Sequence, residues 1–350
     1  MKIDFYSYAR ALYNRRYQAQ EISFHTWYGN VSMLDAFRHF YRTSRLREDL
    51  PLREMDENLI EQYKLYCIRK GNKTSTVNRK LVPLIFTLKA AGKEGLVSAK
   101  TLSHLEQTYY PARSRRYGLE AGRLTSDEQQ ETHHLNDRQL MALLRYYKET
   151  PKESVQNALD LFFFSFHACG LRISDIITLE WRHVCREQSL LSKVSVKSKS
   201  PITIPLSDQA LDILNRWHAR LSSSRFVFGL LAEDFDLTDD AALARAIDNK
   251  NRALRGVLGR IGRQLDFPFP LTMHVARHTF AVKALNAAQV NVHLISRLLG
   301  HSSVLVTEKV YARFLLPTLS HEVREKLSFP ELEIAHLGDK KGGRKKNNCE

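Results

Sequence analysis

Four short segments in the second half of the chain carry side chains that could do chemistry. They are GLRISD at 170–175, the polar turn around Lys197, HVARHTF at 274–280, and LGH at 299–301 with Tyr311 ten positions after His301. Residues at i and i+3 are neighbours on a helix, so His274 and Arg277 can converge on one small anion. Taken singly, each residue fits a surface or core role better, and only their occurrence together favours a site.

The combined set suits phosphoryl transfer through a covalent tyrosine intermediate. Its members are Arg172, Lys197, His274, Arg277, His301 and Tyr311. Guanidinium groups match phosphate oxygens bidentately and stay charged as negative charge develops around the pentacoordinate phosphorus. A phenol is a poor nucleophile until its proton leaves, and a nearby histidine or lysine can move that proton. No cluster of carboxylates suggests a metal pair, so neither a metal nor another cofactor is expected.

At these segments the chain resembles the tyrosine recombinase or phage integrase family, whose motifs occur in the same order. The resemblance covers about residues 135–314, and a weaker one extends over the helical N-terminal part, which is similar to the family's core-binding domain. It implies a site-specific recombinase or integrase that cleaves and rejoins double-stranded DNA through a 3′-phosphotyrosyl intermediate. A type IB topoisomerase-like enzyme and a non-catalytic DNA-binding protein of the same fold stay as alternatives.

The resemblance also implies a role for each candidate residue. Arg172 and Arg277 would clamp the scissile phosphate, and His274 would act as general acid and base. His301 would hydrogen-bond a non-bridging oxygen, and Tyr311 would be the nucleophile. The spacing from His301 to Tyr311 is one residue longer than the commonest form of the family.

Two further roles concern the hairpin and the residue that follows the first arginine by one turn. The hairpin lysine of the family protonates the departing 5′ oxygen, and the spacing to the following PITIPL segment favours Lys197 for this role. Lys199 is the alternative, because residues two apart share a strand face. Asp175 resembles the acidic residue of the family that orients the arginine, here Arg172.

The elements that must position these residues are mostly helical, with a small β-hairpin, so the predicted fold class is mainly α with a small β-sheet (α+β). Asn136 and Gln139 form a capping box at a helix start, and an apolar helix over Val155–Cys169 is ended by Gly170. Alternating apolar residues predict the hairpin: Val194, Val196, Ile202, Ile204 and Leu206. Ser207 is expected to cap the next helix.

In the first half of the chain, apolar spacing predicts helices over Leu59–Ile68 and Thr74–Leu88. Thr74 or Ser75 is the expected N-cap of the second helix. Pro83 lies inside it and removes a backbone donor, so a kink is expected there.

Positive charge points to a nucleic-acid partner. The 350 residues hold 53 Lys+Arg against 38 Asp+Glu, a formal net charge of +15. Between Gln62 and Lys93 there are basic residues but no acid, although such a run can also be an ordinary solvated surface with its counter-charges elsewhere. The predicted DNA contacts are Lys64, Arg69, Lys70, Lys73, Arg79 and Lys80, with Arg113, Arg115 and Arg116 in a basic linker.

The predicted organisation has four parts. Residues 1–110 form a helical core-binding DNA-binding domain, 111–132 the basic linker, 133–320 the catalytic domain, and 321–350 a C-terminal segment with a basic tail. An apolar stripe with Val323, Leu327 and Phe329 follows Tyr311. It could dock on a neighbouring protomer or fold back on its own domain. The expected assembly is a free monomer that forms a homotetramer on DNA.

Signals for export, membrane insertion and zinc are not found in the sequence. Charged residues interrupt the N-terminal segment, and the longest apolar run is too short for a membrane span. The expected location is therefore the cytoplasm, in association with the nucleoid. The pairs His167/Cys169 and His183/Cys185 lack zinc-finger spacing, so a zinc site is not expected.

Overall fold

The computed structural model describes residues 3–98, 132–287, 291–300, 304, 305, 307 and 308. They divide into two compact units. Unit 1 takes its described residues from Met1–Gln129 and adds Asp234–Asn249, and unit 2 takes its described residues from Gln130–Glu233 and Lys250–Glu350. The described part is mainly helical with one small antiparallel sheet, which confirms the predicted α+β class. The boundaries at 110, 132 and 320 stay predictions.

Four helices form most of the described part of unit 1. They are α1 (Phe5–Gln18), α2 (Phe24–Arg45), α3 (Glu57–Arg69) and α4 (Thr74–Lys93), with a 3-10 turn at Leu52–Glu54. Asp4, Ser23 and Asp56 cap the first three, because the side chain of each accepts from a backbone N–H of the first turn. Aromatic rings fill much of the core between the helices, including Phe5 and Phe37 in an edge-to-face pair 5.9 Å apart.

The start and end of α4 differ from the sequence prediction. Lys73, rather than Thr74 or Ser75, is the N-cap, and it makes no side-chain capping bond. The helix continues through Pro83 to Lys93, past the predicted end at Leu88, because its buried face packs on the unit 1 core. The hydroxyl of Thr87 donates to the carbonyl of Pro83 at 2.7 Å.

The described helices of unit 2 position the segments singled out in the sequence. They are α5 (Asp137–Glu149), α6 (Glu153–His167), α7 (Ile173–Ile177), α8 (Asp208–Arg220), α10 (Met273–Asn286) and α11 (Val292–Leu298), while α9 (Asp240–Gln264) begins in unit 1. The capping box of Asn136 with Gln139 and the cap at Ser207 are confirmed. The buried helix α6 ends at His167, two residues before the predicted end, because Cys169 adopts a positive φ of 53°.

The sheet has the order β1-β2-β3 with antiparallel pairing, which confirms the predicted hairpin. Its strands are β1 (Val184–Cys185), β2 (Leu190–Val194) and β3 (Pro201–Pro205), and a 3-10 turn at Trp181–His183 precedes β1. Lys193 pairs with Ile202 across β2 and β3. The strand β2 ends at Val194, so Val196 and Lys199 lie in the connecting turn. The expectation that Lys197 and Lys199 share a strand face is therefore wrong.

Helix α10 packs against α6 and α11, and α11 also contacts β3. The loop before α7, the hairpin and the end of α11 are thus held around the helix that carries HVARHTF. Within the described ranges, no helix is long and apolar enough to cross a membrane.

Candidate active site

Arg277 on α10 is the most buried of the candidate cations, with 7% of its surface exposed. Its Nη1 donates to the carbonyl of Gly170 at 2.7 Å, and its Nη2 donates to the carbonyl of Leu299 at 2.6 Å. A buried guanidinium needs such acceptors, because the loss of its hydration is otherwise costly. Arg277 therefore connects the loop before α7 to the residues that follow α11.

Gly170 allows this close approach. Its φ is +72°, and a Cβ at this position would lie 3.1 Å from Cγ and 3.3 Å from Cα of Arg277. The left-handed backbone and the lack of space both select glycine here. Arg277 can therefore pack here only because residue 170 is glycine.

Arg172 is the N-cap residue of α7 and is half-buried. Its Nη2 donates to the carbonyl of Gly300 at 3.2 Å. Burial lowers the pKa of Arg172, and the nearby charge of Asp175 opposes that shift. A Cβ on Gly300, whose φ is +60°, would lie 3.4 Å from Nη1 of Arg172 and 3.1 Å from Cγ2 of Ile202. Arg172 and Arg277 thus donate to the carbonyls of adjacent residues, Gly300 and Leu299, which directly precede His301 in the sequence.

His274 lies in the first turn of α10 and is exposed. Its pKa is lowered, first by burial of part of the ring and then by the charges of Arg277, Lys197, Arg172 and Arg255. A lowered pKa keeps the imidazole neutral at pH 7, and a neutral imidazole can accept a proton. Arg255, on α9, is a cation near this site that the sequence analysis did not identify.

Lys197 lies in the turn between β2 and β3, and its pKa is lowered by burial and then by the charges of Arg172 and Arg277. The ammonium is therefore within electrostatic reach of both arginines. Lys199 lies in the same turn with a φ of +52°, and its backbone N–H donates to the carbonyl of Ser195 at 2.9 Å. The electrostatic coupling favours Lys197 over Lys199 as the hairpin lysine.

Asp175 is completely buried, and its carboxylate holds the hairpin turn. Oδ2 accepts from the hydroxyl of Ser195 at 3.1 Å, and Oδ1 accepts from the backbone N–H of Val196 at 2.7 Å. The family resemblance implies that Asp175 orients Arg172, and the charge of Asp175 does act on that arginine. Its contact with the hairpin has no local sequence signal, because the partners lie about twenty residues away.

His278 lies beside His274 on α10. The two rings are 6.0 Å apart and edge-to-face. The pKa of His278 is lowered to about 4, mainly by burial and then by the charges of His274, Arg277, His134 and His133. Within the described ranges no group of three or more His, Cys, Asp or Glu side chains is placed to hold a metal ion.

The predicted DNA-binding residues of unit 1 lie on α3, on α4 and in the connection between these helices. Four of them are exposed, and we call them the basic surface: Arg69, Lys70, Lys73 and Arg79. Lys64 forms an ion pair with Glu61 at 3.2 Å, and Lys80 donates to Asn72 at 3.3 Å.

Five of the predicted site residues lie outside the described residues. They are His301, Tyr311, Arg113, Arg115 and Arg116. The structure therefore brings together four members of the predicted catalytic set. We call these the candidate cluster: Arg172, Lys197, His274 and Arg277.

Known proteins share both the sequence pattern and the fold. A tyrosine recombinase XerC of Ralstonia pickettii (strain 12J) is 29% identical over 161 residues, which are 41% of this chain and 45% of that protein. The chain spans about half the length of the curated relatives it matches.

Two solved structures show the likeness in fold. The Tn1549 transposon integrase in complex with transposon right end DNA superimposes with a TM-score of 0.65 at 14% identity, over 93% of this chain and 100% of that chain. A lambda integrase tetramer bound to a Holliday junction gives a TM-score of 0.56 at 16% identity, over 86% and 78% of the two chains.

Two family profiles cover most of the chain. The SAM-like domain of phage integrases matches residues 4–107. The profile of the phage integrase family matches residues 133–315, which are more than half of the chain and include every member of the predicted catalytic set. The chain therefore belongs to the phage integrase family.

Proposed function

We propose that the protein is a site-specific DNA recombinase or integrase that cleaves and rejoins double-stranded DNA through a 3′-phosphotyrosyl bond. One observation carries the proposal. The charges of Arg172 and Arg277 act on Lys197, and the charges of all three act on His274, although the residues come from three separate segments. Burial of cations costs free energy. A group of cations held in this way can stabilise an anion that becomes more negative in the transition state.

The cluster supports a two-part phosphoryl transfer. Arg172 and Arg277 hold the scissile phosphate, and the hydroxyl of Tyr311 attacks phosphorus. His274, whose pKa is lowered by burial and then by the neighbouring cations, accepts the phenol proton. The bond from phosphorus to the 5′ oxygen breaks, and Lys197 gives that oxygen a proton.

Rejoining is the same reaction in reverse on a new strand. A 5′-hydroxyl returns its proton to Lys197 and attacks the phosphotyrosine, and the phenol leaves with the proton held by His274. One phosphate ester replaces another at each step, so ATP is not needed. The two arginines and Lys197 supply the positive charge that a metal ion would otherwise provide. His301 is assigned a hydrogen bond to a non-bridging oxygen.

DNA binding and assembly belong to the same proposal. The net charge of +15 and the basic surface favour a polyanionic partner. Strand exchange between two duplexes uses four active sites, so we assign a homotetramer on DNA that forms from free monomers. The tetrameric lambda integrase has the same fold. The apolar stripe after Tyr311 lies outside the described residues, and its docking role stays a prediction.

The experiment traps the covalent intermediate. A nicked suicide duplex, taken from recombination junctions mapped next to the coding sequence, is incubated with the protein in chelator. We expect a protein–DNA adduct that survives detergent. Tyr311→Phe should bind the duplex equally well and form no adduct.

Other outcomes would favour other functions. Cleavage that requires Mg²⁺ would contradict the proposed chemistry. Relaxation of supercoiled DNA without defined sites would favour the topoisomerase alternative. If wild type and Tyr311→Phe behave alike in every assay, catalysis by Tyr311 is wrong. If both bind the duplex and neither forms an adduct, the non-catalytic alternative is favoured.

A further inference from the structure

A lysine is buried in the middle of the sheet of unit 2, in a position that sequence alternation would give to an apolar residue. Lys193 on β2 has 8% of its surface exposed. Its ammonium donates to the backbone carbonyl of Asp175 at 2.9 Å and to the hydroxyl of Thr178 at 2.7 Å, with a longer contact of 3.4 Å to the carbonyl of Thr178. The proposed reaction does not use this ammonium.

These partners lie at the C-terminal end of α7. The last carbonyls of a helix lack partners within the helix, and a cation there is favourable. Burial nevertheless lowers the pKa of Lys193 to about 8, against the opposing charges of Asp175 and Glu180. Well-packed apolar residues often stabilise an interior as well as a buried charge does. The structure therefore carries an electrostatic cost that simple packing does not require.

The same contacts join two parts of the candidate cluster. Arg172 caps α7 at one end, and Lys193 binds α7 at the other end. Lys193 is four positions before Lys197 on the same hairpin. The backbone carbonyl of Asp175 holds the strand through Lys193, and its carboxylate holds the turn through Ser195 and Val196.

We propose that Lys193 is a positioning residue that fixes the hairpin against α7, so that Lys197 reaches the 5′ oxygen of the phosphate held by Arg172. The inference rests on the proposed function and on the assignment of Lys197 as the proton donor. Lys193 does not touch DNA. It acts through Lys197, and a misplacement of about 1 Å costs such a reaction on the order of a hundredfold in rate.

The test distinguishes a loss of proton donation to the 5′ oxygen from a general loss of activity. Lys193→Met keeps the length of the side chain and removes its donors. Single-turnover adduct formation is measured on two suicide duplexes, one with the normal 5′ oxygen at the scissile phosphate and one with sulfur in its place. A thiolate leaves without a proton because thiols are much stronger acids than alcohols.

On the oxygen duplex, we expect Lys193→Met to react about tenfold to a hundredfold more slowly than wild type. On the sulfur duplex its rate should return to within about twofold of wild type. Lys197→Met should show the same pattern, whereas Arg172→Ala should be slow on both duplexes. Ser192→Ala, an exposed change on the same strand, should match wild type on both.

Two results would overturn the inference while the proposed function stands. Lys193→Met could match wild type on the oxygen duplex, or it could be equally slow on both duplexes. If wild type forms no adduct on either duplex, the proposed function fails and this inference fails with it.

A second variant covers the case in which Lys193→Met does not fold. Thr178→Val removes the hydroxyl that lies 2.7 Å from the ammonium, while residue 193 remains lysine. It should show a smaller loss on the oxygen duplex that sulfur again restores. A folded Thr178→Val that is as fast as wild type on the oxygen duplex, or is not restored by sulfur, would overturn the inference.

Discussion

The two units both gather positive charge, but they hold it in different surroundings. On the basic surface of unit 1, Lys70, Lys73 and Arg79 are exposed at the end of α3 and at the start of α4. In unit 2, Arg277 is buried and Arg172 is half-buried, and both donate to backbone carbonyls. Exposed charges are screened by salt and suit many phosphates, whereas fixed charges suit one transition state. The environment of a charge therefore separates binding from chemistry better than its sign does.

The largest expected effect comes from replacing Arg277, the most buried cation of the candidate cluster. Arg277→Ala removes the donors for the carbonyls of Gly170 and Leu299 and half of the phosphate clamp. We expect adduct formation to fall by about a thousandfold. The free energy of unfolding should fall by about 3 kcal/mol, since breaking buried charged contacts costs this much. Adduct yield and denaturant unfolding measure the two effects, and an active, fully stable variant would contradict the assignment.

A glycine in each unit allows a matched comparison. Gly300 and Gly71 both have positive φ, but a Cβ on Gly300 meets Ile202 and Arg172, whereas nothing lies within 4 Å of one on Gly71. Each alanine variant should lose about 1 kcal/mol of stability from the left-handed backbone. We expect only Gly300→Ala to slow adduct formation, by about tenfold, because it displaces Arg172. Equal cleavage rates in the two variants would show that Arg172 tolerates displacement.

The sequence predicts the fold class and the members of the candidate cluster because the patterns that indicate them are local. The capping box at Asn136, the alternation in the hairpin and the i, i+3 pair on α10 each lie within a few residues. The bonds of Lys193 and Asp175 join β2 to α7 across the fold, and no local pattern encodes them. The N-cap of α4 was missed because Lys73 has no capping side-chain bond, so the start of the helix depends on tertiary packing.

The basic surface should affect affinity without affecting the chemical step. Replacing Lys70, Lys73 and Arg79 with alanine removes up to three phosphate contacts from exposed positions. The slope of log affinity against log salt should become shallower by about 2.7, from about 0.9 for each phosphate. Binding titrations at several salt concentrations measure this slope. The adduct rate at saturating DNA should stay at the wild-type value, and a fall would mean that these residues also act on the cleavage step.

Arg255 offers a smaller effect on the pH dependence of cleavage. Its charge contributes to the lowered pKa of His274. Because His274 must be neutral to accept the phenol proton, the rate should fall only below the ordinary histidine pKa. In Arg255→Met the pKa of His274 should rise, so the acid limb of the rate should move to higher pH. Adduct rates measured against pH at saturating DNA test this, and an unchanged limb would mean that another group sets it.

The smallest expected effect is a change in the pH dependence of protein stability when His278 is replaced. Its folded pKa of about 4 is below the ordinary histidine value, so the unfolded chain binds this proton more readily than the folded protein does. The resulting stability is fully present above about pH 6.5 and is lost as the pH falls through about 4. His278→Gln cannot titrate, so its unfolding midpoint should fall less steeply than that of wild type over this range. Thermal unfolding at several pH values compares the two, with His25→Gln, an exposed change in unit 1, as the control. If the unfolding midpoints of wild type and His278→Gln change in parallel with pH, groups other than His278 cause the loss of stability in acid.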